Sequence, residues 1–523
     1  MENSSSAHKS IRSAGRVSAG TLASRILGLV REQVFAYLFG AGMAADAFVA
    51  AFRIPNLLRD MFAEGALSAA LIPTLTEKIT KEGRSEAYRV AQIFLSFLLS
   101  VVTLIVVAGI IFAPDVVELI AGGFGDVPGK LSLTTDLARI MMPFLLLVSI
   151  AALVMGILNS LGIFGVPAFA PMMLNLGMIF AGFFICPFFD PPIIGMAIGV
   201  ILGGLGQLLF QIPTALKQGF RFRLSFDFGD PAFRKIIILM IPMAVGFSAT
   251  QINVFIVTRI AASLQQGAVA YLNYAFRLMH LPLGMFALAI ATVTLPEISR
   301  YAALDNRADM ARAYMRSLKL GLFLVIPASA LLIFGGRAII AVLFQHGQFD
   351  YSDTLGASSA LAFYSIGLMA YASVRITVPV FYAFKQTARP ITASIFSVAI
   401  NVFLCYMLKD SLGYKGLALA ASISGFVNIT ILLFMLKARI PELIIRPHLK
   451  ALVKILFINA VLVGFLLLWD RFLTFGLQDT GLGIRIINLL ILLAGAIIIY
   501  IALAKLTRIE QLKGLQEIFR RIK

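Results

Sequence analysis

Runs of about 18 to 25 apolar residues recur along the whole chain, and each is long enough to cross the hydrocarbon core of a bilayer as a helix. Ile93 to Ala113, Ile193 to Leu216, Ala451 to Trp469 and Ile486 to Ala504 are examples. Across 523 residues 60% are apolar and 13% charged, too many apolar faces to hide in one soluble core, so the solvent must be lipid. The first ten residues are polar, and the helix after them carries Arg25, Arg31 and Glu32, unlike a cleavable signal peptide; the N-terminus is expected to stay. Cys186 and Cys405 sit inside apolar runs without CxxC spacing or a neighbouring histidine, which makes them buried small hydrophobes rather than a disulfide or metal site.

The pattern predicts an all-α polytopic membrane protein with fourteen transmembrane helices, at 16-38, 45-75, 91-113, 134-159, 166-187, 193-216, 236-262, 270-296, 317-345, 356-384, 391-408, 414-436, 450-469 and 484-504. The net charge of +18 would suggest nucleic acid in a soluble chain. Sorted by position it reads differently. With the N-terminus inside, 30 of the 44 basic residues fall in cytoplasmic segments, among them Lys78, Lys81, Arg84, Arg221, Arg223, Arg307 and Arg312. The opposite loops hold five, Lys130, Lys409, Lys415, Arg471 and Arg485, and collect acids such as Asp115, Asp126, Asp350 and Asp479. This bias puts both termini in the cytoplasm, and attraction to anionic lipid accounts for the excess charge with no nucleic acid.

The chain also matches itself at an offset of about 221 to 224 residues. Ala51-Phe52-Arg53-Ile54 falls on Ala275-Phe276-Arg277-Leu278, Pro167 on Pro390, and Gly195-Met196-Ala197 with Gly204 and Gln207 on Gly416-Leu417-Ala418 with Gly425 and Asn428. Six spans followed by a same-orientation copy imply two six-helix lobes in parallel repeat around a central cavity, a transporter architecture. The expected organisation is an N-terminal tail at 1-15, an N-lobe at 16-217, a linker at 218-235, a C-lobe at 236-437, two extra helices within 438-504 and a C-terminal tail at 505-523.

Nine basic residues remain inside the spans, Arg25, Arg31, Arg53, Arg59, Arg139, Arg259, Arg277, Arg337 and Arg375, and all are arginine. An arginine near the centre of a membrane helix costs roughly 2.5 to 3.5 kcal/mol on insertion scales, so a group of them needs water, counter-charge or ligand. Arg139, Arg259 and Arg337 lie near span ends and are expected to snorkel. At helical spacing Thr21, Ser24, Arg25, Gly28, Arg31 and Glu32 fall within an arc of about 120° on the first helix, a polar face that Ser and Gly packing alone does not explain. The second helix carries Asp46, Arg53, Asp60 and Glu64 on one side, with Asn56 and Arg59 turning away around the Pro55 kink. On the eighth, Asn273, Arg277, His280 and Gly284 share one stripe. A cavity with several arginines and few acids selects an anion, because the planar guanidinium fork binds phosphate oxygens in pairs and stays charged.

The run Ser24-Arg25-Ile26-Leu27-Gly28-Leu29-Val30-Arg31-Glu32, then Phe39-Gly40-Ala41-Gly42-Met43-Ala44-Ala45-Asp46-Ala47-Phe48, Pro55-Asn56-Leu57-Leu58-Arg59 and Phe62-Ala63-Glu64-Gly65-Ala66, closely resembles the MurJ (MviN) family of lipid II flippases, within the MOP exporter superfamily. Arg277-Leu278-Met279 followed by Leu281-Pro282-Leu283-Gly284 is similar to the family's eighth-helix motif. The resemblance implies that the substrate is lipid II, an undecaprenyl-diphosphate carrying a disaccharide-pentapeptide, flipped across the bacterial cytoplasmic membrane by alternating access. It implies substrate-binding roles for Ser24, Arg25, Arg31, Arg59 and Arg277, a functional place for Asp46, and a groove for the polyprenyl tail at the extra helices. Glu32, Asp46, Arg53, Asn56, Glu64, Asn273 and His280 are expected as supporting polar groups of the cavity. Glu32 stands where many members have Asp, Phe276 where some have Asp, and His280 where some have Glu. A sodium site proposed in some members uses acids where this chain has Gln251, Asn253 and Asn401, so it is not carried over. Cell-wall synthesis or division proteins are further candidate partners.

The alternative within transporters is export of another lipid-linked oligosaccharide. An enzyme is disfavoured: His8, His280, His346 and His448 are scattered, there is no GxxxxGK[ST] loop, and no cofactor or metal is required. The charge bias gives a direct test of topology. A cysteine at Gly42 or Asp350 is expected to react with an impermeant thiol reagent added outside the cell, and one at Lys81 or Arg307 to stay protected; the reverse labelling pattern contradicts the orientation.

Overall fold

The computed structural model of the protein describes residues 2–59, 66–443, 449–473 and 480–512. They fall into two compact units, Met1–Gln266 and Gly267–Lys523, and no strand occurs among the described residues. The first unit contains α1 (Glu2–Phe39), α2 (Met43–Arg59), α3 (Ala66–Glu82), α4 (Arg84–Ile111), α5 (Ala113–Ala121), α6 (Lys130–Met141), α7 (Phe144–Ser160), α8 (Gly165–Phe169), α9 (Met172–Phe184), α10 (Ile193–Leu209), α11 (Ile212–Lys217) and α12 (Pro231–Ala262). The second contains α13 (Ala268–Pro282), α14 (Leu288–Ala303), α15 (Arg307–Phe334), α16 (Gly336–Leu343), α17 (Tyr351–Ile366), α18 (Leu368–Ala383), α19 (Ala388–Leu412), α20 (Tyr414–Arg439), α21 (Leu449–Leu473) and α22 (Leu482–Leu506).

Among the described residues, ten helical runs are long and apolar enough to cross a membrane, and the bent pair α17–α18 makes an eleventh. The other three expected spans correspond to α1, to α2 with α3, and to α12. Residues 60–65, and Glu64 with them, lie outside the described residues. Helix α1 starts at Glu2, so it runs back through the segment expected as an N-terminal tail.

Small residues set the packing. A Cβ on Gly177 would sit 2.5 Å from Gly203 Cα, so α9 and α10 pack backbone to backbone. The glycines matched by the internal repeat have matched surroundings. Gly195 abuts the Cys186 backbone and Gly416 the Leu408 backbone, with an added Cβ at 2.6 and 2.5 Å; Gly204 faces the Phe144 ring and Gly425 the Tyr371 ring. Helices α17 and α18 meet at 45° across Gly367, where the Ser422 hydroxyl accepts from the Gly367 amide at 3.0 Å and donates to the Phe363 carbonyl at 2.6 Å. The serine thereby satisfies backbone groups that the bend releases. Cys186 and Cys405 are buried free thiols, in keeping with their apolar settings. The added pair packs on one side of the second unit: α21 and α22 bury Ile455, Ile458, Leu462, Leu492 and Tyr500 against Phe323 and Ile326 of α15, and the Tyr500 hydroxyl donates to the Phe323 carbonyl.

The sequence repeat puts residues 236–262 at the head of the second lobe, but α12 packs within the first unit, against α3 and α5. Its C-terminal end is held there by three contacts. Arg53 donates to the Thr258 hydroxyl, Arg259 donates to the Glu118 and Leu119 carbonyls that end α5, and Gly123 lies so close to Ser263 that a Cβ would come within 2.5 Å of its Cα. The linker before α12 is strapped to α4: Tyr88 donates to the Gln218 carbonyl, Gln92 to the Arg221 carbonyl, and the Ser225 amide to Ser96. Asp230 then caps α12, accepting from the Ala232 and Phe233 amides at 2.8 and 3.1 Å, while Arg89 donates to its other oxygen at 2.6 Å. Burial opposes the Asp230 charge, but the Phe233 amide, Arg89 and the Ala232 amide outweigh it and hold the carboxyl below its usual range. Asp230→Ala is expected to destabilise the protein by about 1 kcal/mol at neutral pH. A carboxyl whose pKa is lowered on folding stabilises above its unfolded value and loses that contribution as pH falls through the folded one. Thermal unfolding in detergent should therefore show wild type and variant converging at acid pH.

Candidate functional site

The first-helix polar arc is divided by its packing. Arg25 is exposed and its side chain has no ion pair or hydrogen bond among the described residues. Ser24 is half-buried, and its carbonyl accepts from Asn175 at 3.1 Å, with Gly28 next to the same asparagine. Arg31, expected on the open face, is instead 6% exposed, ion-paired with Glu32 and in contact with Met178 of α9. Adjacent opposite charges neutralise each other, which lets both be buried where either alone would be too costly.

On α2, Arg53, Asn56 and Arg59 are half-buried, and Arg53 reaches across to Thr258. Asp46 departs from the expectation of a cavity position. It is 1% exposed, and Lys130 at the start of α6 donates to it at 2.8 Å while lying 4.0 Å above the Phe124 ring. Lys130 reads in the sequence as an ordinary loop charge; in the fold it is the buried counter-ion of α2. The arginines expected to snorkel also have definite acceptors. Arg139 donates to the Ile110 carbonyl at 3.3 Å, Arg259 to the end of α5, and Arg337 lies 3.8 Å from Asp470.

In the second unit, Arg277 and Phe276 are exposed on α13, and Asn273 is half-buried one turn earlier. The matched registers agree in burial: Ala51 and Ala275 are fully buried, Ile54 and Leu278 nearly so, and the arginine between each pair is less buried than they are, Arg53 half-buried and Arg277 exposed. His280 folds back on its own helix, its Nδ1 donating to the Phe276 carbonyl at 2.9 Å and its ring 4.0 Å from that of Phe276. A π-turn at Leu283–Ala287 follows Pro282, so the helix geometry changes just beyond these residues. Arg375 on α18 is exposed, without an ion pair or hydrogen bond among the described residues, and close enough for its charge to act on His280. It was visible in the sequence as an intramembrane arginine, but nothing there tied it to His280, 95 positions away.

Each unit therefore carries exposed arginine on helices otherwise built for hydrocarbon, the arrangement of a multi-pass membrane transporter for an anionic substrate. The fold is similar to that of an inward-facing multidrug-resistance MATE transporter of the MOP superfamily, at 17% identity and TM-score 0.68 over 82% of this chain and 98% of that one. The chain belongs to the MurJ family: the family model described as lipid II flippase MurJ matches residues 35–502. A probable lipid II flippase MurJ of Vibrio cholerae is 35% identical over 510 residues, covering 96% of this chain and 97% of that protein. Lipid II flippase MurJ of Burkholderia cenocepacia is 32% identical over 427 residues, 81% of this chain and 83% of that one. A solved structure of lipid II flippase MurJ in an inward closed conformation superposes with TM-score 0.79 at 26% identity, over 94% of this chain and 98% of that one. The family is one of transporters, not enzymes.

The Asp46–Lys130 pair yields a stability prediction. Lys130→Met removes the cation that neutralises a buried carboxylate and should destabilise by about 3 kcal/mol. Asp46→Asn combined with Lys130→Met should recover most of that loss. Thermal unfolding of the two single variants and the double variant measures the coupling.

Proposed function

We propose that this chain flips lipid II, the undecaprenyl-diphosphate-linked disaccharide-pentapeptide, from the inner to the outer leaflet of the bacterial cytoplasmic membrane by alternating access. The single observation that carries this reading, together with family membership, is arginine kept exposed in spanning helices: Arg25 on α1, Arg277 on α13 and Arg375 on α18. A diphosphate offers oxygens that the planar guanidinium fork binds in pairs. The apolar runs support fourteen spans and the charge bias supports both termini in the cytoplasm, while the matched glycine contacts support two six-helix lobes in parallel repeat.

In this reading Arg25 in the first unit, beside Ser24 and with Arg59 as a further donor, and Arg277 in the second, beside Asn273, are the groups that engage the diphosphate. Arg31 is held in reserve by Glu32 and exchanges that partner for a substrate phosphate as the carrier changes state. The contact of Arg53 with α12 and that of Arg259, on α12, with the end of α5 then belong to one end of the transport cycle, since a helix that moves between states must break and remake them. Asp46 acts through its ion pair, fixing the start of α2 rather than touching substrate.

The test is reconstitution into liposomes with purified lipid II and a readout of leaflet accessibility. Arg25→Ala and Arg277→Ala should each lower the flipping rate by at least roughly tenfold, the scale of losing a charge-assisted hydrogen bond, while the protein remains folded. Arg25→Lys and Arg277→Lys should restore little, because a point charge does not replace the fork. Wild-type rates in both alanine variants would contradict the assignment.

A further inference from the structure

Helix α22 faces outward for most of its length, with Leu482, Ile484, Ile486 and Ile487 all exposed, yet Arg485 in the same first turn is only 8% exposed. Its side chain turns inward to the corner between α16 and α17, where Nη1 donates to the Gln345 carbonyl at 2.9 Å. That carbonyl is its only partner among the described residues. Nε is buried with no acceptor, and no carboxylate pairs with the guanidinium among the described residues. A whole positive charge is thus nine-tenths buried against one neutral oxygen, the situation in which a buried charge requires a counter-charge from elsewhere.

The surroundings are open to such a group. Gln345 is also a wall of a cleft of about 570 Å³ in the second unit, lined with His346, Phe349, Asp350, Ser352 and Leu355. The start of α22 has no side-chain cap at Gly481, and a Cβ on Gly481 or Gly483 would meet nothing within 4 Å, so the positive end of a 25-residue helix is unobstructed beside the arginine. Among the described residues, Asp350 and Asp353 are committed to partners of their own. Asp350 accepts from the Asp353 amide and the Ser352 hydroxyl, and Asp353 accepts from Tyr271. The first turn of a spanning helix lies at the depth of lipid headgroups, and the exposed leucine and isoleucines around Arg485 offer a surface for acyl or prenyl chains.

We propose that Arg485, with the α16–α17 corner, forms a binding site for the phosphate of a lipid headgroup, separate from the arginines assigned to flipping. Two lipids carry that chemistry in this membrane, a glycerophospholipid and a polyprenyl diphosphate. The guanidinium fork that remains after the Gln345 contact suits either one.

The experiment uses the full chain, stripped of lipid in detergent, with binding of added lipid read by native mass spectrometry. Phosphatidylglycerol, undecaprenyl diphosphate and phosphate-free diacylglycerol are compared. Arg485→Met is expected to weaken retention of the phosphate lipids roughly tenfold, with Arg485→Lys in between, and diacylglycerol is expected to bind weakly to all three proteins. Ser352→Trp fills the cleft while leaving Arg485 in place, and should also lower retention, which keeps the test decisive if Arg485→Met does not fold. Displacement of phosphatidylglycerol by undecaprenyl diphosphate assigns the site to the carrier lipid, and failure to displace assigns it to bulk phospholipid. Equal retention of the phosphate lipids by wild type, Ser352→Trp and whichever Arg485 variants fold would overturn the proposal, as would diacylglycerol retention equal to theirs.

Discussion

A charge in hydrocarbon has to be neutralised, satisfied by local dipoles, or kept at a surface where water or a ligand can reach it. The placement of nearly every informative residue in this chain follows from which of these it uses. Arg31 takes a neighbouring carboxylate and Lys130 a distant one, so both are buried. Arg259 and Arg139 take backbone carbonyls at helix ends, where the helix dipole favours a cation. Arg25 and Arg375 take neither a carboxylate nor a carbonyl among the described residues and remain exposed. In a membrane protein that last choice is the expensive one, and it marks the surface where an anion is expected.

The apolar framework positions these groups through close backbone contact rather than through polar glue. Gly177 against Gly203 brings α9 and α10 together, and α9 in turn packs on the edge of the polar arc that holds Ser24 and Arg31, leaving the Arg25 side chain exposed. The bend at Gly367, stabilised by Ser422, separates α17 from α18 and gives α18, with Arg375 on it, its own direction. Matched glycines in the two units make the same kinds of contact with a neighbouring backbone and a neighbouring ring, so the duplicated sequence encodes duplicated packing.

Much of the helical framework was legible in the residues alone, because span length and the glycine spacing are local or periodic signals. Eleven of the expected spans meet the length and apolarity needed for crossing, and the three that differ are those with charges or with residues outside the described set. Tertiary choices were not legible. A helical wheel groups Arg25 with Arg31 but cannot show that α9 covers one end of the arc. Lys130 and Asp46 are 84 positions apart, and no periodicity links them. The repeat assigns α12 to the second lobe by descent, whereas Arg53, Arg259 and Gly123 decide its packing. Arg485 looked like one more loop charge until its burial on an otherwise exposed helix was seen.

If exposed arginines exist to take a diphosphate, the charge on the substrate should matter more than the sugar-peptide it carries. The most direct measurement is transport in proteoliposomes of lipid II beside an analogue with the same polyprenyl chain and disaccharide-pentapeptide but an uncharged link in place of the diphosphate. The account predicts that the analogue is neither flipped nor able to compete with lipid II. Flipping of both at equal rates would contradict it.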